Sequence, residues 1–296
     1  MSTIGKRRSI GLVTACVVLV AALSLFGCSS GGASSGSASG ESASAESVAD
    51  LTVNPGVLTV ATGNPAYPPY VMNDDPESAE GFEAALTYAV AEAMGFSSDQ
   101  VVWVRTGFDE AITPGEKDWD MNIQQFGITD ERKQAVDFSS PYFTPSQAIV
   151  VDAAEGHDKY AKATSLAELS DAVIGAEAGS TSYKWGMDKI NGNIQVFNSN
   201  ADAANALNAH QIDGMIVDTP TAVYLADPEM EELDSAVLIG QVPGSEGEPL
   251  AFLLPKDSKL TPYVSAAVDE LEDGGVIQQL VKTWMAEYTI DVPVLN

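Results

Sequence analysis

From Gly56 to the C-terminus, short runs of β-branched and aliphatic residues alternate with helically spaced apolar positions. Gly56–Thr62 reads as a buried strand by its β-branched content. Leu86, Ala89, Val90, Ala93 and Met94 then recur at i, i+3, i+4 spacing, which predicts a helix over Glu83–Met94 that Gly95 ends. Gln100–Thr106, Trp119–Gly127 and the longer apolar run Ser146–Asp152 read as three further strands.

A second alternation follows. A short helix at Leu166–Asp171 leads to a strand at Ala172–Gly179 and a helix at Ser180–Ile190 with a Ser/Thr-rich start. Ile194–Ser199, Asp213–Thr219, Val237–Val242 and Leu250–Pro255 read as strands, with a helix at Ala201–Gln211. Two helices close the chain, with Val264, Ala267, Val268 and Leu271 on one and Val276, Ile277, Leu280, Val281 and Trp284 on the other. Strand–helix alternation implies parallel sheets covered on both faces, and two such sets imply two α/β lobes. Ligands of such folds bind beyond the carboxyl ends of the strands, so the chemistry belongs there.

After the first strand, Thr62–Tyr70 holds three prolines and brings Tyr67 and Tyr70 close together. They are either aromatic walls for a small ligand or the caps of a stiff loop. After the third strand comes Arg132, in a chain with only four arginines. Thr129 can cap a helix beginning at Asp130, and an arginine in its first turn opposes the dipole unless it holds an anion. Its planar fork suits a carboxylate, and the alternative is a surface ion pair worth about 0–1 kcal/mol. In the second half, Gly179, Ser180 and Thr181 form a helix start that suits an anion or is ordinary capping. Asp218 leaves an apolar strand before Pro220, either as an N-cap or as a partner for positive charge. A zwitterion held between two lobes would use all three features.

The termini and composition narrow the classes further. Lys6, Arg7 and Arg8 precede the uncharged apolar run Ile10–Phe26, the pattern of a secretory signal. Residues 29–50 are mostly Ser, Gly and Ala and read as a flexible tether, so the folded part is expected from Leu51. Of the two cysteines, Cys16 lies in the apolar run and Cys28 follows it. A disulfide, a zinc–thiolate site and a cysteine nucleophile are therefore not expected. His157 and His210 are the only histidines; taken as isolated, they argue against a triad or a metal site, and no metal or cofactor is expected. With 42 acidic against 14 basic residues and a net charge of −28, nucleic acid is an improbable partner.

With these residues in view, the chain resembles the family 3 extracellular solute-binding proteins, the amino-acid-binding components of ABC importers. The resemblance runs from Leu51 to about Tyr288. It rests on AYPPY (66–70), GFEAAL (81–86), ITDERKQAVDFSSPYF (128–143), GSTS (179–182), IDGMIVD (212–218) and ELEDGGVIQQLVKTWM (270–285). Leu25–Cys28 is similar to a lipobox, which implies a signal peptide over 1–27, a lipidated Cys28 and a membrane-anchored chain on the extracytoplasmic face.

The family implies the two-lobed, type II periplasmic-binding-protein fold, with a ligand cleft between α/β lobes. Residues 51–146 and 243–296 would form a discontinuous first lobe, residues 147–242 the second, and Ser146–Asp152 and Val237–Val242 the crossovers. It implies that Arg132 binds the ligand carboxylate with Thr181 and the backbone near Ser180, that Asp218 receives the ammonium, and that Tyr67 and Tyr70 flank the side chain. The position filled by Gly127 is usually Ser or Thr, so only its backbone N–H can contribute. Gln124 and Gln125 stand before it where small residues are common in the family, which implies either a polar wall or a smaller pocket. Asn64 stands where members preferring cationic side chains often carry Asp, which favours a neutral polar amino acid. The expected partners are an amino acid, an ABC permease and the lipid anchor, with a tethered monomer the simplest state. The expected role is capture without catalysis; the alternatives are a cyclohexadienyl dehydratase-like enzyme on the same fold and a ligand-presenting sensor component.

Overall fold

In chain order the strands are β1 (Leu58–Thr62), β2 (Val101–Arg105), β3 (Met121–Asn122), β4 (Val136–Phe143), β5 (Gln147–Asp152), β6 (Ile174–Glu177), β7 (Ile194–Phe197), β8 (Gly214–Asp218), β9 (Ala236–Gln241) and β10 (Leu250–Pro255). The helices are α1 (Phe82–Ala93), α2 (Phe108–Ile112), α3 (Thr181–Lys189), α4 (Asn200–Asn208), α5 (Thr219–Leu225), α6 (Thr261–Asp273) and α7 (Val276–Leu280). This computed structural model describes residues 47–190, 193–227, 233, 235–245, 248–289 and 291–296. The segment read as a secretory signal, Cys28 and the Ser/Gly-rich stretch to residue 46 lie outside them.

The strands form two five-stranded sheets, β2-β1-β3-β10-β4 and β7-β6-β8-β5-β9, which give the chain its two lobes. Every residue of β1 and β5 is buried, as expected of strands covered on both faces. The sheets are mixed, not wholly parallel as the alternation implied. β1 runs parallel to β2 and β3, and β6 to β7 and β8. β10 is antiparallel to β3 and β4, and β5 to β8 and β9. The chain leaves the first sheet after β4, enters the second directly as β5, and returns from β9 to β10. Each sheet therefore holds one strand of reversed direction, β10 in the first and β5 in the second.

The runs expected as crossovers are β5 and β9 themselves, inside the second sheet. The chain passes between the sheets at 144–146 and 242–249. These two passages touch: Gln147 N donates to Ser245 Oγ at 2.9 Å, Val242 N to Gln147 O at 2.8 Å, and Ser146 Oγ to Gln241 Oε1 at 2.9 Å.

On the first sheet, α1 places Phe82, Leu86 and Val90 against Val264, Ala267 and Val268 of α6, all fully or almost fully buried. Burying each Leu, Val or Phe contributes about 1.5–3 kcal/mol. β4 was not legible as a strand, because Ser139, Ser140 and Pro141 break its pattern. It lies at the sheet edge, and Pro141 sits where the register with β10 shifts, positions that tolerate a missing N–H.

The folded part includes residues before Leu51. Ser47 caps a turn at Val48–Asp50, and Val48, Ala49 and Leu51 pack on the first-lobe core. At the other end, Leu295 joins the second-lobe core, and Gln241 N donates to Pro293 O at 2.8 Å, so the final residues lie on the second sheet.

Candidate functional site

The loops after β1, β2, β3, β6, β7 and β8 converge on one cavity. Asn64 and Tyr67 line it from the loop after β1. Tyr67 reaches across to the second lobe, its ring centroid 6.3 Å from that of Tyr224. Tyr70 does not line the cavity, which corrects the expected pair of aromatic walls. It is 1 % exposed in the first-lobe core, and among the described residues its hydroxyl has no hydrogen-bond partner. The cause is backbone docking: Glu83 N donates to Tyr70 O at 2.9 Å. Gly81, at φ +108°, permits that approach, since a Cβ there would lie 2.5 Å from the same oxygen.

Glu83 is fully buried beneath the cavity floor. Its carboxylate accepts from Gln125 N at 2.9 Å, from the Gln125 side-chain amide and from the Tyr142 hydroxyl. Burial raises its pKa to about 7 against the opposing pull of those donors. Gln125 lines the cavity, but its amide is committed to Glu83. Gln124 also lines the cavity, and its buried Oε1 has no hydrogen-bond partner among the described residues.

Arg132 does not open a regular helix as expected; it begins a short 3-10 turn, Arg132–Gln134, and Thr129 Oγ1 accepts from its backbone N–H at 3.2 Å. The side chain is 7 % exposed and stands behind the cavity wall, 5.2 Å from the centroid of the Phe108 ring. Nη1 donates to Gly127 O at 2.7 Å, and Nη2 donates to Gly179 O of the other lobe at 2.8 Å. Two of the five guanidinium N–H donors are thus engaged. Gly127 packs between Arg132 and Thr181: a Cβ there would meet the Thr181 methyl at 3.2 Å and Arg132 Nη1 at 3.5 Å.

The second lobe supplies the opposite wall. Ser180 caps α3, accepting from Tyr183 N at 3.0 Å and donating to Glu177 O at 2.7 Å, so its hydroxyl is used in capping. Thr181, the first residue of α3, faces the cavity beside it. Asp218 begins α5 without a side-chain cap bond; its carboxylate accepts instead from Gln147, whose Oε1 accepts from Ser182 Oγ at 2.5 Å. Burial, with Glu248 nearby, raises Asp218 to about 7, while the Gln147 bond and Arg132 oppose the rise.

Sequence reading missed two acids. Glu177, the last residue of β6, lines the cavity at 7 % exposure, and burial beside Asp218 and Asp202 raises its pKa to about 8. An acid ending an apolar strand, as at Asp218, was the available signal. Glu248 lies against Gly127 on the return passage, with Oε2 buried and without a hydrogen-bond partner among the described residues. The two histidines are not isolated: their rings stack with centroids 4.2 Å apart, and His210 Nδ1 lies 2.6 Å from Asp152 Oδ2. Neither lines the cavity. Among the described residues no helix is long and apolar enough to cross a membrane.

Residues 58–287 match the model of the bacterial extracellular solute-binding proteins, family 3. A probable histidine-binding protein of Campylobacter jejuni is 29 % identical over 238 residues, covering 78 % of this chain and 86 % of its own. An arginine-binding periplasmic protein of Mannheimia haemolytica is 26 % identical over 224 residues, covering 75 % and 88 %. Among solved structures, an ancestral arginine-binding protein bound to arginine aligns with a TM-score of 0.63 at 29 % identity, covering 78 % of this chain and 99 % of that one. An ancestral amino-acid-binding protein described as a precursor of cyclohexadienyl dehydratase aligns with a TM-score of 0.60 at 28 % identity, covering 77 % and 95 %.

Proposed function

Because the chain belongs to family 3 of the bacterial extracellular solute-binding proteins, we propose that its cleft captures one polar amino acid by both ends of the zwitterion. The observation that carries this reading is the placement of Asp218 of the second lobe on the cavity at the end of β8, with Arg132 of the first lobe just behind the cavity wall and reaching Gly179 O. Arg132, with the donors it has left, takes the α-carboxylate together with Thr181 and the N-terminal amides of α3. Asp218 takes the α-ammonium, and Tyr67 and Asn64 flank the side chain.

The division into moving bodies follows the chain passages. Residues 51–146 and 243–296, apart from the tail on the second sheet, move against residues 147–242 about 144–146 and 242–249. Closure around a ligand is a hinge motion of this kind. It also removes water, which strengthens both ion pairs. The closed form is what an ABC-type permease receives. Cys28 anchors the chain, as a monomer, to the outer face of the cell membrane through attached lipid, so that capture occurs outside the cytoplasm.

A thermal-shift panel of the twenty amino acids tests this. Ligand at about 100 times its Kd stabilises the folded state by about 2.7 kcal/mol. One or a few amino acids raising the melting temperature, with the effect lost in Arg132→Ala, is the expected result. No shift from any amino acid would refute amino-acid capture.

A further inference from the structure

We propose that Glu177 receives a second positive charge from the ligand, making the substrate a cationic amino acid with an ammonium or guanidinium side chain. This rests on the amino-acid reading above and adds the substrate class. Glu177 is more than nine-tenths buried yet forms part of the cavity wall. Among the described residues its carboxylate has neither a hydrogen-bond donor nor an ion-pair partner. The charges that bear on it, Asp218 and Asp202, are both acids. Among the described residues no Lys, Arg or His lines the cavity.

Charge accounting then selects the ligand. Arg132 matches an α-carboxylate and Asp218 an α-ammonium. With a neutral side chain in the cleft Glu177 stays protonated, because no cation among the described residues pairs its charge. A side-chain cation supplies the missing partner. Arg105 cannot supply it, because its guanidinium is engaged by Asp74 at 2.5 Å and Gly63 O at 2.6 Å.

Asn64 leaves the first-lobe wall neutral, which on sequence alone favoured a neutral ligand. The second lobe provides the carboxylate instead, at the end of β6. Gln124, whose buried Oε1 lacks a donor, adds an acceptor that a guanidinium or ammonium N–H would satisfy.

Titration calorimetry of the full chain with L-arginine, L-lysine and L-ornithine, against L-citrulline and L-glutamine, tests the proposal. Citrulline has nearly the shape of arginine without its charge. At least one cationic amino acid should bind tenfold or more tighter than both neutral ones, and Glu177→Gln should reduce that ratio to within about threefold. Neutral ligands binding as tightly as every cationic one to the unaltered chain would overturn it without any variant. So would a ratio that Glu177→Gln leaves unchanged. In either case the amino-acid reading would stand; binding of none of the twenty amino acids would remove that reading as well.

Discussion

Arg132 and Gly179 meet across the cleft, the guanidinium Nη2 of the first lobe donating to the carbonyl oxygen of the second at 2.8 Å. The carboxylate-binding candidate is therefore also a tie between the lobes. Truncating it removes one partner of a buried charge pair, a change that costs about 2–5 kcal/mol. At about 1.4 kcal/mol per tenfold, Arg132→Ala should weaken ligand binding by roughly two orders of magnitude or more by calorimetry. A loss smaller than threefold would take Arg132 out of the site.

Gly179 is tested from the other side. Its φ is +69°, and an added Cβ would stand 2.9 Å from Asp109 Oδ1 and 3.0 Å from Ile112 Cδ1 of α2. The Asp109 carboxylate can swing away, but the left-handed backbone cost of about 1–2 kcal/mol stays. Gly179→Ala should lower the melting temperature by roughly 2–8 °C. Calorimetry showing an unchanged or raised melting temperature would contradict the strained turn.

The two tyrosines of the proline loop should separate cleanly. Tyr70→Phe removes a buried hydroxyl with no partner, so stability should hold or rise by about 1 kcal/mol while affinity stays within twofold. Tyr67→Ala should reduce affinity, because Tyr67 lines the cavity and touches Tyr224 of the other lobe. Chemical denaturation and ligand titration on both variants would check this; Tyr70→Phe weakening binding more than Tyr67→Ala would reverse the assignment.

Legibility followed burial. Runs such as Leu58–Thr62 and Gly214–Asp218 announce themselves because residues covered on both faces cannot carry charge without a partner. The strand-end rule led to Arg132, Thr181 and Asp218 on the same grounds. Tyr70 was misread because sequence spacing gives nearness to Tyr67 but not the direction of the ring, which the docking of Glu83 N on Tyr70 O decides. Glu177 was missed because an acid at a strand end also suits solvent. Burial in the folded lobe, with Asp218 and Asp202 as the charges that bear on it, makes it an unpaired carboxylate, and neither is visible from local sequence. The reversed directions of β5 and β10 depend on how the chain passes between lobes, which no local pattern encodes.

Acid titration gives a further test. Glu177 shifts from 4.5 to about 8, chiefly through burial, then through Asp218 and Asp202. A carboxyl whose folded value lies above its unfolded one keeps a proton that the unfolded chain has released. Its contribution to stability is therefore present below about pH 4.5 and falls as the pH rises toward about 8. Asp218, shifted to about 7 by burial and Glu248 against Gln147 and Arg132, acts in the same direction. The melting temperature of ligand-free protein should fall less steeply with pH in Glu177→Gln than in the unaltered chain. Parallel slopes would show that Glu177 is not buried as an acid.

The most direct measurement of the central claim uses the tightest-binding amino acid, its α-amide and its Nα-acetyl derivative, each titrated calorimetrically into the full chain. Each derivative removes one charge of the zwitterion and leaves the side chain intact. If Arg132 and Asp218 hold the two ends, each should lose roughly a hundredfold or more in affinity. Either derivative binding within threefold of the parent would contradict a cleft that grips the zwitterion from both lobes.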